Sequence, residues 1–347
     1  MTDESVMDQM IGRTLNRYKI MEILGEGGVG AVFKAYDDLL QRQVAVKVMR
    51  PDFARRPNFR DRFLQEARTA ARLDHPSIVE VHDFGQDNDL LYIVMEYIPG
   101  DNLRAMLQRL KAQNKWVILS EAVQIVQQVS DAIAYAHGQG VLHRDIKPEN
   151  LMLKPEPGDH LPYRVVITDL GLAQLGATDS LAKDGISMGT PAYMSPEQAL
   201  GQETDERSDV YSLGVLLYEL AVGRLPFPAS TISEAARYHA QEQVPLPRSI
   251  RSDLPIALEK VILKALEKSP ANRYAGVPEF LAALEEALPV VDDASFTPSD
   301  ISETVSLTTQ YEVAATVAEE TMPMDSSAAA DTAGDVVEIL EPDHSER

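Results

Sequence analysis

The stretch His143-Arg144-Asp145-Ile146-Lys147-Pro148-Glu149-Asn150 brings a carboxylate, an ammonium and a carboxamide into one octapeptide. Transfer of a phosphoryl group needs a base to orient the attacking hydroxyl, a cation near the moving negative charge and an oxygen ligand for Mg2+. Asp145, Lys147 and Asn150 can supply the three in turn. Pro148, with Gly138 and Gly140 upstream, forbids a continuous helix, so these residues sit on a loop that can turn several side chains toward one point. Taken alone the octapeptide could equally be a polar surface loop, and its partners elsewhere in the chain decide between the two.

Outward from it, composition sets the bounds. At 347 residues and 44% hydrophobic, the chain can build one large or two medium domains with developed cores. It has no cysteine, which excludes disulfides, thiolate metal sites and a cysteine nucleophile. Met1 to Gly12 carry acidic residues without an apolar core, and the apolar run around Leu213 to Val222 is too short to span a bilayer and holds Glu219. The expectation is a soluble cytoplasmic protein with no membrane span. A net charge of −22 argues against nonspecific nucleic-acid binding. Residues 289–347 hold 14 Asp or Glu against one basic residue and are rich in Thr, Ser and Ala, so this segment is expected to be a disordered acidic tail.

Upstream, Tyr18 to Leu24 alternate and run into Gly25-Glu26-Gly27-Gly28-Val29-Gly30-Ala31-Val32, after which Phe33 to Ala35 resume an extended pattern. This predicts strand, glycine turn, strand, a backbone that can lie close over a phosphate. A dinucleotide-binding fingerprint would instead need a helix after the glycines. In Val44-Ala45-Val46-Lys47-Val48 the alternation sets the valines on one face and Ala45 with Lys47 on the other. A lysine on an apolar strand wants a partner, and Glu66 borders the apolar stripe of a helix predicted over Pro57 to Leu73. Strands are expected at Ile78 to Phe84 and Leu90 to Met95, followed by a Pro99-Gly100 hinge where backbone groups of Glu96 and Tyr97 can meet an adenine. Ser120 is expected to cap a helix bearing Val123, Val126, Val129, Ile133 and Ala136. Beyond the octapeptide, two strands bring Asn150 and the Asp169 of Asp169-Leu170-Gly171 to neighbouring ends, a hard-cation site.

With the glycine run, Lys47, Glu66, the octapeptide and Asp169 to Gly171 in this order, the chain resembles the protein kinases from about Gly12 to Leu288. Lys147 and Thr190 resemble the serine/threonine branch, and Ser195-Pro196-Glu197-Gln198 looks most like the bacterial Hanks-type (eukaryotic-like) serine/threonine protein kinases. The resemblance implies an α+β bilobal protein kinase fold: an N-terminal extension over 1–11, a β-rich small lobe with one key helix over 12–97, a mainly helical large lobe over 98–288, and the tail. It implies ATP and Mg2+ as cofactors and transfer of the γ-phosphate to Ser or Thr hydroxyls of protein substrates. Asp145 would be the catalytic base with Lys147 near the γ-phosphate, while Lys47, steadied by Glu66, holds the α and β phosphates. Leu24, Gly25, Glu26, Gly27, Gly28, Val29 and Gly30 would cover the nucleotide. Val32, Ala45 and Met152 would sandwich the adenine, Met95 would guard the back of the pocket, and Asn150 and Asp169 would hold the metal. Glu197 with Arg273, and Asp209 against the catalytic loop, would be structural.

Three positions depart from the family pattern. Leu170 replaces a phenylalanine, Ser195 an alanine, and the loop from Lys154 to Tyr163 is long. Arg144 before Asp145 implies control by phosphorylation, with Thr178, Ser180 and Ser187 as candidate sites and Thr190 as a structural contact. In the tail, Thr297 and Thr332 are each followed by an aspartate three residues on, a spacing that suits phosphothreonine-reading (forkhead-associated) domains. Dimerisation through the small lobe is left open. The alternative to an active enzyme is a pseudokinase acting as a nucleotide-binding scaffold; loss of Lys47, Asp145 or Asp169 would favour it, and all three are present.

Overall fold

In the computed structural model, residues 9–28, 30–55, 57–156, 161–170, 191–293 and 304–305 are described, without the side chains of 57–59, 62, 66, 288–293 and 304–305. Strands β1 (Thr14–Leu15), β2 (Tyr18–Glu26), β3 (Gly30–Asp37), β4 (Arg42–Met49), β5 (Val81–Asp87) and β6 (Leu90–Glu96) form one antiparallel sheet in the order β1-β2-β3-β4-β6-β5. Strand alternation sorts its two faces. Phe33 of β3, Val44, Val46 and Val48 of β4, and Tyr92 and Val94 of β6 bury together on one side. On the other, Ala45, Ile93 and Met95 pack with Phe53 of α1 (Pro51–Ala54) and Phe63 and Ala67 of α2 (Pro57–Ala70). The site-facing residues lie in register, Val32 opposite Lys47 and Ala45 opposite Met95.

The glycine run is more strand-like than its composition suggests. Gly25 pairs with Val32 and Glu26 with Ala31 past an irregularity in β2, so only the tip is a turn. A Cβ on Gly30 would sit 2.1 Å from the Val48 carbonyl oxygen, a clash with backbone that reserves the position for glycine. The strand expected over Ile78 to Phe84 is displaced. Regular pairing starts at Val81, and Ile78 instead bridges to Ile167, with Val79 N–H donating to Ile167 O and Ile167 N–H to Ser77 O, both at 2.9 Å. Those bonds tie the small lobe to the large one, a long-range demand invisible to local alternation. Likewise α2 stops at Ala70, three residues short of Leu73, as the chain tightens into shorter-range bonds at Arg72 and Leu73.

The large lobe holds α3 (Leu103–Ala112), the two-residue β7 (Trp116–Val117), α4 (Leu119–Gly138), a hairpin of β8 (Leu151–Pro155) and β9 (Tyr163–Ile167), α5 (Pro196–Ala199), α6 (Glu206–Val222), α7 (Ile232–Gln241), α8 (Pro247–Ile250), α9 (Ile256–Ala265) and α10 (Val277–Asp293). Ser120 is not the cap of α4: the cap position is Ile118, which makes no side-chain bond, and Ser120 lies inside the first turn. The predicted apolar face of that helix is as expected, Val123, Val126, Val129, Ile133 and Ala136 being fully buried. The long segment after β8 is a hairpin end, where Glu156 N–H bonds Pro162 O at 3.0 Å and Glu156 pairs with Arg164; residues 157–160 lie outside those described. Helix α10 runs on to Asp293, past the expected start of the tail at 289, and Thr304–Val305 form β10.

Helix α6 is buried on every side from Ser208 to Val222, polar Asp209 and Glu219 included, which makes it the axis on which α4, α9 and α10 pack. A Cβ at Gly214 would lie 2.7 Å from Ala265 Cβ and 3.3 Å from Leu266 Cδ2. Gly214→Val is therefore expected to cost about 1–3 kcal/mol by overpacking, read from the urea midpoint.

Candidate active site

The octapeptide becomes a strained loop closed by a short turn at Pro148–Asn150, directly before β8. Arg144 has φ of 64° and Asp169 φ of 59°, the left-handed region that an arginine in particular occupies at a cost. The strain at Arg144 is held by Asp209 at the start of α6. Its carboxylate accepts from His143 N–H at 2.9 Å, from Arg144 N–H at 2.7 Å, and lies 2.7 Å from His137 Nε2. Burial pushes the Asp209 carboxyl up, but the His137 hydrogen bond and the His143 and backbone contacts outweigh it and hold its pKa below the ordinary 3.8. Gln198 adds a further brace from α5, donating to Arg144 O at 2.8 Å.

Inside this frame the charged groups converge. Lys147 Nζ is 2.7 Å from Asp145 Oδ2, and Asn150 Nδ2 donates to the same oxygen at 3.0 Å and to Asp145 O at 2.8 Å. With its nitrogen so used, Asn150 leaves Oδ1 as an oxygen donor. Thr168 N–H bonds Asn150 O at 2.9 Å, which fixes β9's end, and so Asp169, beside the loop. Lys47, for which Glu66 is the expected partner, has its ammonium 2.7 Å from Asp169 Oδ1; the Glu66 side chain lies outside the described residues. Burial raises the Asp169 carboxyl, but Lys47 foremost, then Lys147 and His143, hold it below 3.8. Its side chain is 28% exposed, enough to meet a ligand from the cleft.

These oxygens suit a hard cation. No group of three or more His, Cys, Asp or Glu side chains placed to hold a metal occurs among the described residues, so an ion here would draw on Asp169 and Asn150 and take its remaining ligands from phosphates and water. That is the coordination Mg2+ favours.

Beside the charges lies an apolar cluster. Val32, Ala45, Met95 and Met152, drawn from β3, β4, β6 and β8, gather in one cluster with Ile98 and Val166. Leu24, Gly25, Glu26, Gly27 and Gly28 lie exposed at the sheet edge, and Val29 is outside the described residues. At the hinge, Glu96 N–H is spent on Glu80 O at 2.9 Å, and the Glu96 carboxylate pairs with Lys154. Tyr97 is stacked by Lys34, whose ammonium sits 4.8 Å from the ring centre.

The expected Glu197–Arg273 pair is formed and bidentate, at 2.8 and 2.9 Å, with Ser208 Oγ donating to Glu197 at 2.6 Å. A second network was not legible in the sequence. Arg104 of α3 meets Glu149 of the octapeptide at 2.9 Å, Glu219 of α6 at 2.7 Å, and the Tyr193 hydroxyl. Its members lie up to 115 residues apart, so no local spacing links them. The Gln198 brace could have been found, because Ser195 and Gln198 form a capping box whose four-residue pattern is readable. Thr178, Ser180, Ser187 and Thr190 lie outside the described residues.

The buried ionisable groups predict an acid-sensitive fold. His143 is held neutral: burial lowers its pKa below 6.5 against the pull of Asp209 and Asp145, and its Nδ1 accepts from Asp145 N–H at 3.1 Å. Burial, with Lys268 adding to it, pushes His239 down to about 4. For Glu197, burial raises the pKa, but Arg273 and Ser208 bring it below 4.5. In each case the unfolded chain binds protons more readily than the folded one. Stability is therefore expected to be greatest above pH 6.5, to fall as the histidines would charge, and to fall again below 4.5 as Glu197, Asp209 and Asp169 are forced to protonate. Thermal melts across this range check it; a melting temperature unchanged down to the lower value would contradict the assignment.

The family model described as Protein kinase domain matches residues 18–284. The chain is 41% identical over 286 residues to the serine/threonine-protein kinase pkn3 of Myxococcus xanthus, covering 80% of this chain and 51% of that protein. It is 36% identical over 279 residues to the serine/threonine-protein kinase PrkC of Bacillus subtilis, covering 80% and 42%. It thus spans about half the length of these curated relatives, or less. Among solved structures, the PknI kinase domain of Mycobacterium tuberculosis superposes with a TM-score of 0.62 at 31% identity, over 80% of this chain and 98% of that domain. By this family match and these identities, the chain belongs to the protein kinase domain family, in its bacterial Hanks-type serine/threonine branch.

Proposed function

We propose that the chain is an ATP-dependent protein kinase that transfers the γ-phosphate to serine or threonine hydroxyls of proteins. The observation that carries this is the convergence of Lys47, Asp145, Lys147, Asn150 and Asp169, with Lys47–Asp169 and Lys147–Asp145 each at 2.7 Å. Asp145 accepts or orients the substrate hydroxyl proton, and Lys147 beside it offsets charge on the moving phosphoryl group. Lys47 binds the α and β phosphates and is thereby drawn from Asp169. Bound there, Mg2+ supplies charge neutralisation of the phosphates; Asn150 and Asp169 are the residues to hold it. Val32, Ala45, Met95 and Met152 enclose the adenine. Leu24, Gly25, Glu26, Gly27, Gly28, Val29 and Gly30 cover the phosphates, and Glu66 steadies Lys47. Glu96 and Tyr97 border the adenine, and since Glu96 N–H is already used, a donor to the base must come from elsewhere in the hinge.

Autophosphorylation at Thr178, Ser180 or Ser187 belongs to the same proposal. Arg144, whose Nε already bonds Thr204 Oγ1 at 3.2 Å, is the cation that a phosphorylated side chain would join. Recognition of tail phosphothreonines by forkhead-associated domains, dimerisation through the small lobe and a cytoplasmic location are further expectations. No helix among the described residues is long and apolar enough to cross a membrane.

The test is incubation of the purified chain with γ-labelled ATP, Mg2+ and a generic basic protein, followed by phosphopeptide mapping. Label on Ser or Thr is the expected result. Its absence, despite measurable ATP binding, favours the scaffold alternative. Lys47→Met is expected to remove the label and weaken nucleotide binding by about 1.5–3 kcal/mol, the worth of a hydrogen bond to a charged group, measured by calorimetry.

A further inference from the structure

A groove of about 1170 Å3 on the large lobe is lined by Glu149 beside the catalytic loop, by residues of α3 and by Trp116 of β7. Its outer end is built from Lys111, Lys115, Trp116 and Arg224. Among the described residues none of these three cations has a carboxylate partner, in a chain whose net charge is −22. The edge they surround is preformed. Arg251, itself 4% exposed, donates to Ala221 O at 2.9 Å and lies 5.7 Å from the Trp116 ring centre, pinning β7 to the end of α6.

One segment of this chain already pairs with that edge. β10 runs parallel to β7, Thr304 opposite Trp116 and Val305 opposite Val117. We infer that the segment around Thr304–Val305 is an intramolecular docking strand, which adds to the β7 edge and seats the acidic C-terminal segment against the basic outer end of the groove. Strand addition satisfies the unpaired backbone groups of an edge with little regard to side chains, so charge must supply the selectivity. The charges are complementary: residues 289–347 carry 14 acidic residues against one basic, and Glu303 directly precedes Thr304 as Lys115 directly precedes Trp116.

Trp116 is the single tryptophan of the chain, so its fluorescence reports on this edge directly. The full chain is compared with Val305→Pro, which removes an amide a ladder needs, and with the doubly reversed Lys111→Glu, Lys115→Glu. Docking predicts that both variants raise the acrylamide quenching constant of Trp116 about twofold, that high salt does the same to the wild type, and that amide exchange across 116–118 quickens about tenfold or more. These readouts do not involve phosphoryl transfer, so they stand whether or not the chain is active. Unchanged quenching and exchange in both variants overturn the inference. So does protection that is lost on dilution, because the strand would then come from a second copy.

Discussion

Replacing Asp145 by Asn is expected to lower phosphoryl transfer by about 10²–10⁴-fold, the contribution of a positioned general base, while leaving ATP affinity nearly unchanged. The geometry makes this substitution a clean one. Asp145 Oδ2 accepts from Lys147 Nζ at 2.7 Å and from Asn150 Nδ2 at 3.0 Å, and an asparagine can turn its carbonyl oxygen to the same two donors. The loop should then keep its shape, since Arg144 and His143 are held from Asp209 and not from Asp145. What is lost is the carboxylate's capacity to take a proton. Single-turnover transfer and calorimetric ATP binding, measured on the same preparation, separate the two effects. Equal transfer rates in variant and wild type would remove Asp145 from the mechanism. Loss of both transfer and ATP binding would mean that the loop had collapsed.

The largest expected effect on stability lies far from the nucleotide. Arg273→Met is expected to cost about 3–5 kcal/mol, because it leaves a buried carboxylate without its counter-charge. The Arg273 side chain is fully buried and that of Glu197 only 6% exposed. Arg273 also donates to the carbonyls of Glu267, Lys268 and Arg207, at 2.8, 3.1 and 2.9 Å. Removing Glu197 as well, in a Glu197→Leu, Arg273→Met double variant, should recover only part of the loss, since those three carbonyls stay unpaired. A denaturant double-mutant cycle reads the coupling. A single Arg273→Met variant as stable as the wild type would contradict the role assigned to the pair.

Local chemistry alone determined much of this protein. Period-two alternation in Val44 to Val48 separated the buried valines from Ala45 and Lys47, because a strand can only place neighbours on opposite faces. Pro148 and the flanking glycines excluded a helix at the octapeptide, and the buried stripe of α4 followed from its helical spacing. Tertiary structure decided what depends on residues distant in sequence. The apparent strand at Ile78 became a bridge to Ile167, because the lobes must be joined through backbone bonds. Arg104, Glu149, Glu219 and Tyr193 form one network only because α3 and α6 pass beside the octapeptide. Lys47 meets Asp169, more than a hundred residues away, since an ammonium takes whichever carboxylate the fold brings within reach. Periodicity fixes the face a side chain occupies; only the packing of elements fixes its partner.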